Sequence, residues 1–133
     1  MTRPREGLAR TGQEGRGARP DEALAERLAD TMFALSTPSR VLILGCLLGG
    51  PRSVGDITEM LGMEQSAVSH QLRVLREHSL VRAERAGRRR LYAIFDDHVS
   101  VLLYAGLRHV DPAWSGPAGA VGPVGEEGLG GAP

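Results

Sequence analysis

Residues 62–76 read GMEQSAVSHQLRVLR, and the way this stretch divides into two faces decides the fold. A glycine ends whatever precedes it. From Gln65 onward the spacing predicts a helix, because at a helical 100° per residue Val68, Leu72 and Leu75 fall on one side. Ser66, Ser69, His70 and Arg73 fall on the other. The apolar side packs. The opposite side holds short hydroxyls, an imidazole and a guanidinium, which can approach base edges and phosphates closely in a DNA major groove. A merely solvated face more often carries acid–base pairs three or four residues apart. For His70 taken alone, a structural role in the helix stays open beside the base-reading one.

The neighbouring segments complete a pattern. Upstream, Ser53 or Asp56 starts a short helix containing Ile57, Met60 and Leu61, and Gly62-Met63-Glu64 forms the turn into the next. Downstream, Leu80–Arg85 and Arg90–Phe95 are expected as strands around Ala86-Gly87-Arg88, a hairpin with glycine at its turn. Short helix, tight turn, second helix and hairpin make a winged helix-turn-helix. Arg88, Arg89 and Arg90 lie at the hairpin turn, where guanidinium groups can enter a minor groove or clamp phosphate. Two more helices precede this unit. Pro20-Asp21-Glu22 opens one with Leu24, Leu28, Met32 and Leu35 at helical spacing, and Ser36-Thr37-Pro38 opens another that runs to Leu48 before Gly49-Gly50-Pro51. A last helix spans 97–110. The expected order is α-α-α-α-β-β-α, mainly α with a β-hairpin wing.

Composition bounds the rest. The chain has 133 residues and zero formal net charge, so no global field draws it to nucleic acid or membrane. Charge is instead local: residues 65–95 hold seven arginines against Glu77 and Glu84. Residues 1–19 hold hardly a large apolar side chain and residues 111–133 are nearly half Gly and Pro, so neither buries enough surface to offset the entropy of ordering, and both are expected as flexible tails flanking a domain over 20–110. Cys46, the single cysteine, lies in an apolar run and reads as a buried thiol in a reducing cytoplasm. His78 reads as a solvated residue at a helix end. No phosphate loop, nucleophile elbow or paired-carboxylate cleft points to an enzyme, and no apolar run is long enough for a bilayer.

From Ser36 to Val110 the chain resembles the ArsR/SmtB family of bacterial metal- and stress-sensing repressors, through LSTPSRVLILGCLLGG, through SVGDITEMLGMEQSAVSHQLRVLREHSLVRAERAGRRRLYAI, and through DDHV. The resemblance implies a symmetric homodimer held by its first and last helices, with Gln65, Ser66, Ser69 and His70 reading operator DNA. It also implies a choice of sensing site. One group of members binds thiophilic ions through a Cys-x-Cys pair in the third-helix region, and residues 53–60 contain no cysteine. Another uses Asp-x-His at the start of the last helix and His-x-x-His or His-x-x-Glu near its end. Asp96, His98 and His109 match three of those positions; the fourth is Pro112, which has no side-chain donor, with Asp111 beside it as a substitute.

Eleven residues advance a helix by roughly 16 Å and bring it nearly back to phase, so His98 and His109 face the same way yet cannot share an ion within one chain. An antiparallel pair of such helices would bring His98 of one chain to His109 of the other, twice per dimer. Imidazole and carboxylate without thiolate suit nickel, cobalt or zinc, and the open position at Pro112 favours nickel or cobalt. Two alternatives stay open: the same DNA-binding fold answering a non-metal signal or a partner protein, and an activator rather than a repressor.

Overall fold

The computed structural model describes residues 17–117, and the remaining parts of the two expected tails lie outside them. Five helices and a hairpin follow in the expected order: α1 Glu22–Ala34, α2 Pro38–Leu48, α3 Val54–Leu61, α4 Gln65–Glu77, β1 Val81–Ala86, β2 Arg89–Ile94 and α5 Asp97–Val110. The chain divides into a unit ending at Phe33 and a unit beginning at Ala34. In the first, Asp21 Oδ1 accepts the Leu24 N–H at 2.8 Å, capping α1 one residue before it begins. Leu24, Leu28 and Met32 are all exposed in the single chain.

In the second unit, Thr37 Oγ1 accepts the Arg40 N–H at the start of α2, and Pro38 occupies the first turn, where its missing N–H costs nothing. α3 opens with a reciprocal capping box. Ser53 Oγ accepts the Asp56 N–H and Asp56 Oδ2 accepts the Ser53 N–H, both at 3.0 Å. Gly62 ends α3 at φ 69°, a left-handed conformation that a side chain would strain, while its N–H returns to the Thr58 carbonyl at 2.8 Å. This residue turns the chain from α3 into α4.

The core gathers Ile43 and Leu44 of α2, Ile57 of α3, Val68, Leu72 and Leu75 of α4, Leu80 and Val81 at the wing entry, and Val99 and Leu103 of α5. The face of α4 expected to pack is buried. Cys46 is buried too, and burial pushes its thiol up, more than Arg52 draws it down. At neutral pH it is a protonated, unreactive group. His78 is half-buried rather than solvated, with its Nδ1 3.0 Å from the Val74 carbonyl.

The wing differs from expectation by one residue at each strand end: β1 begins and ends one residue later, and β2 begins and ends one residue earlier. Ala86, expected in the turn, pairs with Arg89, leaving the two-residue turn Gly87-Arg88, and Arg89 therefore belongs to β2. Gly87, with φ 66°, takes the first central position of that turn. A third segment, unforeseen in the sequence, joins the hairpin: Arg52 N–H donates to the Tyr92 carbonyl at 2.9 Å, and Tyr92 N–H to the Arg52 carbonyl at 2.7 Å.

Residues 111–117, expected at the start of the C-terminal tail, are placed against α5. Trp114 packs tilted on Tyr104 with ring centroids 5.1 Å apart. Gly116 passes so close to that tyrosine that a Cβ there would stand 2.5 Å from its hydroxyl. An aromatic anchor in an otherwise Gly/Pro-rich segment supplies the apolar contact that the composition of the whole segment hides.

Two outcomes follow from the packing. Leu72→Ala, at a site 1% exposed, should lower unfolding free energy by about 2–5 kcal/mol in urea titration. Asp56 should give the fold an acid limb. The Ser53 backbone N–H and hydroxyl, with Arg89, hold its carboxyl below the ordinary 3.8. The stability it contributes is then complete above that value, and is lost as the pH falls through the lower folded one. Asp56→Asn should flatten this part of the stability–pH curve; an unchanged limb would assign it to other carboxylates.

Candidate nucleic-acid interface and metal centre

α4 carries the candidate reading face. With Val68, Leu72 and Leu75 inward, Gln65, Ser66, Ser69, His70 and Arg73 are all exposed, so the structure brings the five sequence-predicted residues of this helix to solvent together. Two hydroxyls, one carboxamide, an imidazole and a guanidinium can donate to and accept from base edges and phosphates.

The three wing arginines are also exposed, but they differ in what holds them. Arg88 occupies the turn. Arg89 Nη2 donates to Asp56 Oδ2 at 3.1 Å, bracing the wing against the capping box of α3. The Arg90 guanidinium lies over the Tyr92 ring, 5.5 Å from its centroid. An exposed ion pair of this kind contributes about 0–1 kcal/mol, so phosphate can compete for Arg89.

Two further residues touch this machinery from inside and were not legible in the sequence. Arg40 of α2 is 8% exposed, donates through Nε to the Ala34 carbonyl, and donates through Nη1 to Gln71 Oε1 of α4 at 2.9 Å. Arginine richness disguised it: one guanidinium among so many gives no sign of being buried.

The candidate metal residues fall at the two ends of α5. Asp96 is its N-cap, in extended conformation, and Oδ1 accepts the Val99 N–H at 3.1 Å. Its other oxygen, Oδ2, stands 3.6 Å from His98 Nδ1, and the His98 side chain is 97% exposed. One carboxylate thus fixes the helix start and faces the imidazole. His109 lies in the last turn, and Asp111 is the C-cap, its N–H donating to the Leu107 carbonyl at 2.8 Å. Asp111 Oδ1 also accepts the Ala113 N–H at 3.2 Å. Among the described residues of one chain, no group of three or more His, Cys, Asp or Glu comes together as a metal cage.

Residues 37–83 match the bacterial regulatory protein, arsR family. Over 102 residues the chain is 51% identical to the HTH-type transcriptional regulator NmtR of Mycobacterium tuberculosis, covering 74% of this chain and 84% of that one. The chain belongs to the ArsR family. Solved structures agree with the fold: apo-NmtR in solution aligns with a TM-score of 0.62 at 46% identity, over 78% of this chain and 87% of that one. The homodimeric winged helix-turn-helix domain of Mb0332 from Mycobacterium bovis aligns at 0.65 and 30% identity, over 74% and 93%. This ArsR-family chain is therefore a DNA-binding transcriptional regulator with a winged helix-turn-helix and not an enzyme. No single described helix is long and apolar enough to cross a membrane.

Replacing Arg88, Arg89 and Arg90 together by Ala should weaken operator and non-specific DNA binding alike. The slope of log affinity against log salt should become shallower by about 0.9 for each phosphate that is no longer neutralised. Fluorescence anisotropy across a salt series measures this, and an unchanged slope would remove the wing from the phosphate-binding surface.

Proposed function

We propose that this regulator is a homodimeric repressor whose grip on operator DNA is set by a divalent transition metal bound between its two chains. The observation that carries the reading is the pair at the start of α5, where the Asp96 carboxylate faces a nearly fully exposed His98 imidazole. Two such donors are too few for a closed site, and the remaining candidates, His109 and Asp111, end the same helix. Ligands split between the ends of one helix can meet only if a second helix runs alongside in the opposite sense. A two-fold axis supplies that arrangement and makes two equivalent sites.

The surface of the single chain supports a partner helix. Val101 and Val110 of α5 are exposed, as are Leu24, Leu28 and Met32 of α1, and large apolar side chains left in water favour association. The winged helix-turn-helix domain from M. bovis is homodimeric, and the solved NmtR is an apo form.

Asp96 and His98 of one protomer would hold the ion with His109 and Asp111 of its partner. Nitrogen and carboxylate oxygen donors without thiolate suit nickel, cobalt or zinc, and the prolyl residue at 112 leaves the shell open in a way that favours nickel or cobalt. Bound metal supplies a fixed positive cross-link between the two α5 helices. Because each α5 packs on β2 of its own wing, restraining the helices restrains the angle between the two reading heads, and operator affinity falls. On each head, α4 reads bases through Ser69 and His70, and Arg73 joins the wing arginines in holding phosphate.

Metal titration of the purified dimer tests this directly. Two ions per dimer are expected, with His98→Ala and His109→Ala each lowering affinity by an order of magnitude or more. Saturating metal should weaken operator binding by about 1–3 kcal/mol, the usual range for coupled sites. Tight binding that survives both changes would overturn the shared site, and a wild-type dimer that takes up no nickel, cobalt or zinc would assign the signal to another class of ligand.

A further inference from the structure

We infer that Arg40 and Gln71 form a positioning pair that sets the roll of the reading helix, and with it the discrimination between operator and other DNA. The inference rests on α4 being the helix that reads bases. Gln71 follows His70 directly, yet it belongs to neither face. By helical phase it lies about 60° off the centre of the Val68–Leu72–Leu75 stripe, on its flank. Its carboxamide oxygen accepts the Arg40 Nη1 N–H at 2.9 Å across 31 residues of sequence.

The geometry matters because apolar packing has no direction. Val68, Leu72 and Leu75 keep α4 on the core, but burial is indifferent to a small rotation of the helix about its own axis. Side-chain tips lie about 5–6 Å from that axis, so a roll of about 10° moves Ser69 and His70 by about 1 Å. That displacement is enough to spoil hydrogen bonds to base edges, whose donor–acceptor distances span only about half an ångström. A hydrogen bond on the flank of the stripe resists such a roll at the place where the lever arm is longest.

Arg40 suits the task because it is itself fixed. Its backbone N–H is held by the Thr37 cap, its side chain is buried, and its Nε donates to the Ala34 carbonyl while Nη1 reaches Gln71. A guanidinium presents these donors in a rigid planar fork, so the direction of one bond determines that of the other. Lysine could satisfy either acceptor but would not lock the angle between them. The pair thus references the reading helix to the junction in front of α2, adding a directional contact to the non-directional burial of its apolar face.

The test compares two ratios. Gln71→Met keeps volume and helix propensity but removes the acceptor, whereas Gln71→Glu keeps an acceptor oxygen. For each variant, and for Arg40→Lys, affinity is measured by anisotropy for operator and for scrambled DNA, together with thermal unfolding. Gln71→Met should reduce the operator-to-scrambled preference at least tenfold while affinity for scrambled DNA stays within twofold. Gln71→Glu should weaken both DNAs in proportion through its charge, yet retain the preference. Arg40→Lys with Gln71→Met should be no worse than the poorer single change, as expected of partners in one contact.

A Gln71→Met protein that keeps its preference, or loses both affinities together along with thermal stability, would overturn the positioning role. Should Arg40→Lys fail to fold, the two Gln71 variants carry the test alone. Ser69→Ala with His70→Ala serves as the control for the reading face. If that variant discriminates poorly while Gln71→Met discriminates well, positioning alone is overturned; if both discriminate as wild type does, the assignment of the face is overturned and the positioning role with it.

Discussion

The structure depends on the burial of one side of α4. Val68 and Leu75 are completely buried and Leu72 nearly so, and α4 lies against both α2 and α3. A helix has only one circumference to share between core and ligand. Each apolar residue committed inward commits the residues half a turn away to solvent, so the packing that stabilises the domain also creates the surface proposed to meet DNA. The demand explains the composition of that outer surface. Long, flexible acids and bases would stabilise an exposed helix equally well but would hold a duplex at a distance, whereas Ser66 and Ser69 would let its backbone approach.

The wing answers a different constraint. A two-stranded hairpin alone is marginal in water, and this one gains support at both ends. Near its base, the Arg52–Tyr92 bridge adds a third chain segment to the ladder, and near its tip Arg89 reaches the Asp56 carboxylate that already caps α3. Asp56 is thereby shared between two tasks, ordering the first helix of the helix-turn-helix and orienting the wing. The two DNA-facing elements are referenced to a single carboxylate. Acidification that loosens the α3 cap therefore loosens the wing brace with it.

Periodicity and punctuation make most of this fold legible. The bounds of α4 and α5 follow from the sequence because apolar spacing is strict there, because Gly62 ends the helix before α4, and because the Asp96 side chain caps α5. The hairpin edges lie one residue from their expected places, since Ala86 and Arg89 are equally acceptable in a strand or a turn and only cross-strand pairing chooses between them. Arg52 and Arg40 escape the sequence for a deeper reason. Their roles rest on residues 40 and 31 positions away, Tyr92 and Gln71, and nothing local distinguishes a buried or bridging arginine from a solvated one. The resemblance to a family supplies Asp96, His98 and His109 as candidate ligands, whereas the helical rise between the two histidines, about 16 Å, shows that they could not share an ion within one chain.

That last point bears on how such a regulator can be built at all. A metal cage completed inside one protomer could stabilise that protomer but would leave the relation between two reading heads untouched, because no ligand would span the interface. Splitting the donors between the ends of α5 has the opposite consequence. In the proposed site neither half would hold an ion well alone, so affinity and dimer geometry would become one quantity, and an ion bound there would choose between the arrangements the dimer can adopt. The Asp96 cap makes the split economical: the carboxylate that starts α5 is already fixed by the Val99 N–H, so a donor oriented by the fold itself faces His98 without further ordering. Coupling of this kind requires that α5 move as a rigid body with the domain. Val99 and Leu103, buried in the same core as α4, provide that rigidity.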